Sequence, residues 1–309
     1  MFAQRDPIRC EALPDPAVRY TASMNEAVTL VKDVAEQAVG WSASLELSYE
    51  RRGDRTVLSR RRHQGPLVAQ KTLYPEGDTV CQTAIVHPPG GIVGGDELNL
   101  SVQIGAEAKV QLTTPGAARW YRSAGAPARQ RISISVGEGG AGEWLPQETI
   151  VYDGAIADCD TRIELCRGAA WLGWDIFCLG RRAAGERFAR GHLRQRVEIL
   201  RCGVPQWVER AVLEADSPRL TAASGMSGQS VFGTLVAAAE SVSDELLTAC
   251  RALHARGGEI GVTRLPGLLV ARYLGDSGAA ARDYFAAIWA LARPALLGRA
   301  AVVPRIWST

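Results

Sequence analysis

The 309-residue sequence lacks the local motifs of a metal or redox centre, since it contains no C-x-x-C, no H-x-x-x-H and no H-x-H. Metal capture needs His, Cys or carboxylate groups at ligand spacing, so neither a zinc knuckle nor a thioredoxin-type centre is supported. The seven cysteines are odd in number and irregularly spaced. We expect most of them to be small buried residues in a reducing compartment.

Long apolar runs and a strong charge bias are also missing. No stretch approaches the roughly 18–20 apolar residues of a membrane-spanning helix, and the first residues, MFAQRDPIRCEALPDP, have no apolar signal core. The formal net charge is +2, which gives no electrostatic case for nucleic acid. We expect a cytoplasmic protein that acts without a membrane or nucleic acid.

Alternation of apolar and polar residues dominates the chain from Trp41 onward. Leu98, Leu100, Val102 and Ile104 alternate with polar residues, as do Ile132, Ile134 and Val136. Glycine-bearing turns separate these short runs, which is typical of β-strands. The pattern predicts a mainly β body, whether sandwich, barrel or solenoid. We read residues 1–40 as an N-terminal tail and residues 41–309 as one domain.

Helical periodicity is confined to three segments. Residues 24–39 could form a short helix or an arm that becomes ordered on binding. Ser241 or Ser243 can cap a second helix with Leu246 and Cys250 on its apolar stripe, ending at Gly257-Gly258. A third follows Ser277 and is predicted to stop at Pro294. These two late helices are either lids on the core or a docking surface.

Six arginines fall within twelve residues of one candidate hairpin, a density that suggests either a partner-binding patch or a solvent-facing surface. Leu45, Leu47 and Tyr49 alternate with polar residues just before them, so a hairpin's solvent face is the favoured interpretation. The six are Arg51, Arg52, Arg55, Arg60, Arg61 and Arg62.

No catalytic constellation stands out. Gly90-Gly91 and Gly94-Gly95 run into a β-alternating segment, so they lack the helix N-terminus of a phosphate loop. These glycines more plausibly permit positive φ or close backbone packing. Ser227 in Gly-Met-Ser-Gly, with His192 as a base, is a weak hydrolase candidate because G-x-S-x-G is absent.

Single acidic or imidazole groups are scattered beside glycine, proline and tryptophan. Each carboxylate alone is more often a turn cap or an arginine partner. As a set they could line a polar path for a divalent cation, because transit favours weak, dispersed ligands. The candidates are His87, Asp96, Glu143, Glu148, Asp153, Asp175 and Glu186.

Several longer motifs together resemble the UreD (UreH) family of urease accessory proteins. They span Trp41 to Trp307 in family order: HPPGGIVGGD (87–96), TTPGA (113–117), WYRS (120–123), EWLPQETIVYDGA (143–155), LGR (179–181), GE-x-F (185–188), ER (209–210), LLVARYLG (268–275) and RP-x-L-x-GR-x-x-x-x-PRIW (293–307). The usual Gly-Trp-Glu is Gly173-Trp174-Asp175, and a Lys-Phe-Tyr-like segment is Arg119-Trp120-Tyr121. Residues 1–40 lie outside the resemblance.

The resemblance implies a non-enzymatic maturation factor with a β-helix-like or stacked-sheet body and two helices in the C-terminal half. Such proteins bind apo-urease, recruit UreF and the GTPase UreG, and support nickel delivery, with no tightly bound cofactor and nickel(II) as cargo. We expect the β body to contact urease, and the late helices with Pro304–Trp307 to dock UreF. The transit candidates are then Asp96, Glu148, Asp153, Asp175 and Glu186, with His87 as an entry or exit ligand. A purely structural adaptor that opens urease is the alternative.

Overall fold

The computed structural model describes residues 40–308, which contain seventeen β-strands and two α-helices. The tail and the possible helix at 24–39 lie outside these residues, apart from Gly40. The strands are β1 (Ser42–Arg52), β2 (Arg55–Gln64), β3 (Val68–Ala69), β4 (Val80–Val86), β5 (Glu97–Ile104), β6 (Lys109–Thr113), β7 (Ala118–Trp120), β8 (Ala128–Val136), β9 (Ala141–Leu145), β10 (Thr149–Val151), β11 (Ile156–Leu165), β12 (Ala170–Leu179), β13 (His192–Arg201), β14 (Val204–Glu214), β15 (Val231–Ala238), β16 (Glu259–Leu265) and β17 (Leu268–Gly275).

Two large sheets face each other, and the chain passes repeatedly from one to the other. The first sheet has the order β14-β13-β11-β8-β5-β1-β2, and the main path of the second is β16-β17-β15-β12-β9-β6-β4-β3. Neighbours from β1 to β13 in the first sheet and from β4 to β12 in the second are parallel. Short strands β7 and β10 add a partial third face beside β12. This is a β-solenoid-like stack, as the resemblance implies.

The core between the sheets is built from ladders of identical register. Leu100 pairs with Ile132, Val102 with Ile134, and Ile104 with Val136 on adjacent parallel strands. All six of these side chains are buried. The predicted period-two alternation in these two strands is therefore confirmed, because each second side chain of a strand points to the same face.

The two helices cover the outer face of the second sheet. Helix α1 (Asp244–Arg251) begins at Ser243, whose side chain accepts a hydrogen bond from the Leu246 N–H. Helix α2 (Gly278–Leu297) begins at Ser277, which accepts from the Ala280 N–H. Their apolar faces enter a second core, so the core-lid interpretation of these faces is confirmed.

Pro294 does not end helix α2, which corrects the predicted boundary. The helix continues to Leu297 and ends where Gly298 adopts a left-handed φ of 67° and donates its N–H to the Pro294 carbonyl. Proline removes the hydrogen bond to the carbonyl four residues earlier, that of Ala290, but its own carbonyl still accepts from Gly298, so the last turn closes. Glycine then provides the C-terminal cap.

Other surface predictions have mixed outcomes. The six clustered arginines are all exposed on the β1–β2 hairpin, which fits both the solvent-face interpretation and the partner-binding patch. Of the six cysteines in the described residues, only Cys81 and Cys250 are buried, whereas Cys166 and Cys202 are exposed. The expectation of mostly buried cysteines was therefore wrong. No helix in residues 40–308 is long and apolar enough to cross a membrane.

Candidate functional site

The loop from His87 to Asp96 forms one wall of the candidate site. Gly90 and Gly95 have positive φ angles of 74° and 95°. A Cβ added to Gly91 would overlap the ring of Tyr121, and one added to Gly94 would overlap Ser123. Each pair thus combines one left-handed glycine with one close approach, as predicted.

Asp96 fixes this loop to the start of β1. Its Oδ1 accepts the Trp41 N–H at 2.8 Å and its Oδ2 accepts the Val93 N–H at 2.9 Å. The side chain is buried. Both carboxylate oxygens are therefore used by the backbone, an arrangement typical of a turn-stabilising aspartate.

A cavity of about 280 Å³ lies behind the loop, between the two sheets. His87 and Gln147 line it from loops, while Arg119, Gln130 and Asp175 line it from strands. His87 is half-buried, and burial lowers the pKa of its imidazole, an effect that nearby Asp96 opposes. A neutral imidazole is the form that can bind a metal ion.

Asp175 connects this cavity to a smaller one of about 30 Å³, because Asp175 and Trp144 line both. The side chain leaves β12 on the face that points between the sheets. Burial, together with the neighbouring Glu209 carboxylate, raises the pKa of Asp175 to about 7, and a hydrogen bond with Gln195 opposes the shift. A carboxyl group in such surroundings can exchange between neutral and charged forms near neutral pH.

Beyond Asp175, polar side chains continue towards the far end of the stack. Thr161, Gln195 and Thr234 line the smaller cavity together with Glu209. The Glu209 Oε1 accepts hydrogen bonds from the Thr234 hydroxyl at 3.2 Å and from Arg272 Nη1 at 2.8 Å. The Arg272 side chain is 55% exposed, so this row of polar side chains reaches the protein surface at Arg272.

Sequence reasoning missed Gln195 and Glu209 as site residues. On β14 three of the exposed positions are valines, Val204, Val208 and Val212, while Glu209 faces inward. If these valines are assumed to point into the core, every side chain of β14 is assigned to the wrong face of the sheet. The only usable signal was the Glu-Arg pair at 209–210, which belongs to the family motifs.

Asp153 and Glu186 meet in a separate loop cluster. The Asp153 N–H donates to Glu186 Oε1 at 3.2 Å. The Asp153 carboxylate accepts hydrogen bonds from the guanidinium and from the backbone N–H of Arg190, and these hydrogen bonds lower the pKa of Asp153. Glu186 pairs with Arg181 at 2.6 Å, which lowers the pKa of Glu186. Both carboxylates are arginine partners in this structure.

Glu148 lies at the contact between β10 and helix α2. Its Oε2 is 3.2 Å from Arg282 Nη1, and the same guanidinium donates to Gln147 Oε1 at 2.8 Å. Gln147 lines the larger cavity. The structure therefore brings His87 and Asp175 to one cavity, joins Asp153 to Glu186, and ties Glu148 to the cavity only through Arg282.

Comparison with known proteins identifies the family. The family described as "UreD urease accessory protein" matches residues 42–308. The chain belongs to the UreD family. A urease accessory protein UreD from Dechloromonas aromatica is 50% identical over 278 residues, covering 89% of this chain and 96% of the relative. Its counterpart from Azoarcus sp. is 51% identical over 270 residues, covering 87% and 95%. One from Nitrosococcus oceani is 51% identical over 271 residues, covering 88% and 91%.

These UreD relatives are named as accessory proteins rather than enzymes. The hydrolase candidate gains no support from the geometry, since the Ser227 hydroxyl donates to the Ala223 carbonyl at 3.3 Å. His192 begins β13, paired with Ile156 and Glu214. Within residues 40–308 no three His, Cys, Asp or Glu side chains converge as a metal site.

Proposed function

We propose that this chain is a cytoplasmic urease maturation factor that binds apo-urease together with UreF and UreG. It supports nickel delivery to the urease active site through an internal passage. The observation that carries the proposal is the pair of cavities joined at Asp175 and Trp144. Family membership supplies the link to urease.

The passage would run from His87 and Arg119, past Asp175, to Glu209 and Arg272. Its chemistry suits transit, because single carboxylate, amide and hydroxyl oxygens bind a divalent cation weakly enough to release it. In this proposal His87 is an entry or exit ligand. Asp175 is the interior carboxylate, supported by Gln195.

The remaining candidates differ in how much of their carboxylate is available. Asp96, Asp153 and Glu186 would have to leave backbone or arginine partners before they could meet a cation. Glu148 would have to leave Arg282. We therefore expect substitutions of Asp175 and His87 to lower nickel loading more than substitutions of the other four.

Narrowing the passage tests the proposal against the purely structural adaptor. Thr161 is 8% exposed and lines the smaller cavity, so Thr161→Phe should fill it. Thr161→Val keeps the shape and serves as the matched control. Each variant is co-expressed with urease and the other accessory proteins, the complexes are captured, and the nickel content of the urease is measured.

We expect Thr161→Phe to leave the complex intact while lowering urease nickel and activity, with Thr161→Val close to the unsubstituted protein. Full activation with an intact Thr161→Phe complex would favour the adaptor, in which nickel travels outside this chain. A melting curve of each purified variant separates a blocked passage from a folding defect.

A further inference from the structure

Two exposed cysteines occupy the same position on adjacent turns of the stack. After β8, β11 and β13, the first residue beyond the strand donates its backbone N–H to a carbonyl at the end of the preceding strand in the sheet. Gly137 donates to Ile104 at 2.7 Å, Cys166 to Val136 at 2.9 Å and Cys202 to Leu165 at 2.8 Å. Leu165 and Arg201, which precede the two cysteines, are paired in register. Cys166 and Cys202 therefore each follow one member of the last residue pair of two adjacent parallel strands.

The spacing of adjacent strands places these two residues within reach of a disulfide bond. Neighbouring strands lie about 4.8 Å apart, and disulfides join Cα atoms about 4.4–6.8 Å apart. Two further contacts hold the corners together. Arg201 Nη1 donates to the Cys166 carbonyl at 3.2 Å, and the Gly203 N–H donates to Glu164 Oε1 at 2.8 Å.

Local backbone preference does not account for a cysteine at position 202. Cys202 and Gly203 form the two-residue loop between β13 and β14, with φ angles of 49° and 77°. Two positive φ angles are typical of a type I′ turn, in which asparagine, aspartate or glycine is favoured at the first position. A cysteine there carries a conformational cost, which a role for its thiol would explain.

The other described cysteines are poor competitors for an oxidant. Cys81 and Cys250 are buried, and Cys159 and Cys178 are half-buried. Burial raises the pKa of Cys178 to about 12 and that of Cys159 well above its usual value. Since the thiolate is the reactive form, these groups react slowly.

We propose that Cys166 and Cys202 form a dithiol site that glutathione disulfide converts reversibly to an intrachain disulfide. One thiolate attacks a sulfur of glutathione disulfide, giving a mixed disulfide and releasing one glutathione. The second thiolate attacks the protein sulfur of that mixed disulfide, forming the Cys166–Cys202 bond and releasing a second glutathione. The two thiol protons end on the two glutathione molecules, so atoms and electrons balance.

The bond would fasten the β13–β14 hairpin to the corner between β11 and β12. Among the described strands, β14 pairs only with β13, and it carries Glu209 at the inner face. The site is independent of nickel transit and can be tested without urease.

Peptide mapping of the purified full-length protein tests the proposal. Trypsin separates the two cysteines into residues 163–167 (IELCR) and residues 202–210 (CGVPQWVER). After incubation with glutathione disulfide under argon, we expect these peptides linked, with the loss of two hydrogens, and released by dithiothreitol. Cys166→Ser and Cys202→Ser should each give a glutathione adduct on the remaining member of the pair and no link.

Separate glutathione adducts on both cysteines of the unsubstituted protein, with no linked peptide, would overturn the proposal. A link from either cysteine to Cys10 in place of the pair would do the same. The melting temperature of the two serine variants, measured under reducing conditions, shows that any loss of the link is not a loss of the fold.

Discussion

The buried guanidinium of Arg293 should be among the most sensitive side chains in the protein. It lies on helix α2 with 1% of its side chain exposed, and it pairs with Glu143 on β9 and with Glu76 in the loop before β4. Its Nε is 3.0 Å from Glu143 Oε1, and its Nη1 is 2.6 Å from Glu76 Oε2. Trp289 Nε1 also donates to Glu143 at 2.6 Å.

Arg293→Met keeps much of the side-chain volume but leaves two carboxylates without their cation. Removing one partner of a buried ion pair costs about 3–5 kcal/mol, because the other charge stays desolvated. We expect a loss of that size in the free energy of unfolding, measured by urea titration with tryptophan fluorescence. Arg162→Met is the matched control, since Arg162 pairs with Glu164 and Glu198 while 49% exposed, and exposed pairs contribute little.

The loss should also depend on pH. Burial raises the pKa of Glu143, and Arg293 opposes that rise. Without the arginine, the folded-state pKa of Glu143 lies above its unfolded value, so folding favours the neutral carboxyl group. The stability of the variant is therefore highest at low pH and is lost as the pH rises through that folded-state pKa. The deficit of Arg293→Met should therefore shrink as the pH is lowered from the alkaline side towards the ordinary titration range of a glutamate. A deficit below about 1 kcal/mol at pH 8 would refute the view that this cluster clamps the helix to the sheet.

Two further stability changes follow from the cavity and its wall. Asp175→Asn should raise the free energy of unfolding by about 1–3 kcal/mol above about pH 8 and by almost nothing near about pH 3, with an intermediate effect near about pH 5. The folded-state pKa of about 7 lies above the ordinary value of 3.8, so the carboxyl group begins to cost stability above about pH 4 and the cost grows until the pH passes about 7; equal effects at low and high pH would contradict this. Gly91→Ala should destabilise the protein by about 1–3 kcal/mol through overlap with Tyr121. Gly116→Ala, with open space around the added Cβ, is its control in the same thermal melts, and equal losses would count against the overlap.

The periodic parts of the fold were predictable because their signals are local. The alternation in β5 and β8 and the capping serines of the two helices each lie within a few residues of the element that they specify. The order of strands within each sheet has no such signal, since neighbours in the stack are tens of residues apart. Resemblance to a family, rather than periodicity, indicated the solenoid-like arrangement.

The candidate site was only partly predictable for a related reason. Asp175 was proposed from its setting beside Gly173 and Trp174, yet Glu209 contacts the same cavity from a strand whose exposed face carries several valines. Arg293 and Glu143 are 150 positions apart, so no local pattern could pair them. Which carboxylates keep free oxygens depends on these distant partners.

The contrast between Glu143 and Asp175 explains how one protein can hold carboxylates for two purposes. Glu143 leaves β9 towards the helices, where Arg293 and Trp289 use both of its oxygens. Asp175 leaves β12 towards the space between the sheets, where its neighbours are an amide and a second carboxylate. The Glu209 Oε2 atom is buried without a hydrogen-bond partner among the described residues. Because a carboxylate can bind a passing cation only with oxygens that the protein leaves unused, the proposed passage would depend on the under-satisfied pair of Asp175 and Glu209, whereas Glu143 has no free oxygen to offer.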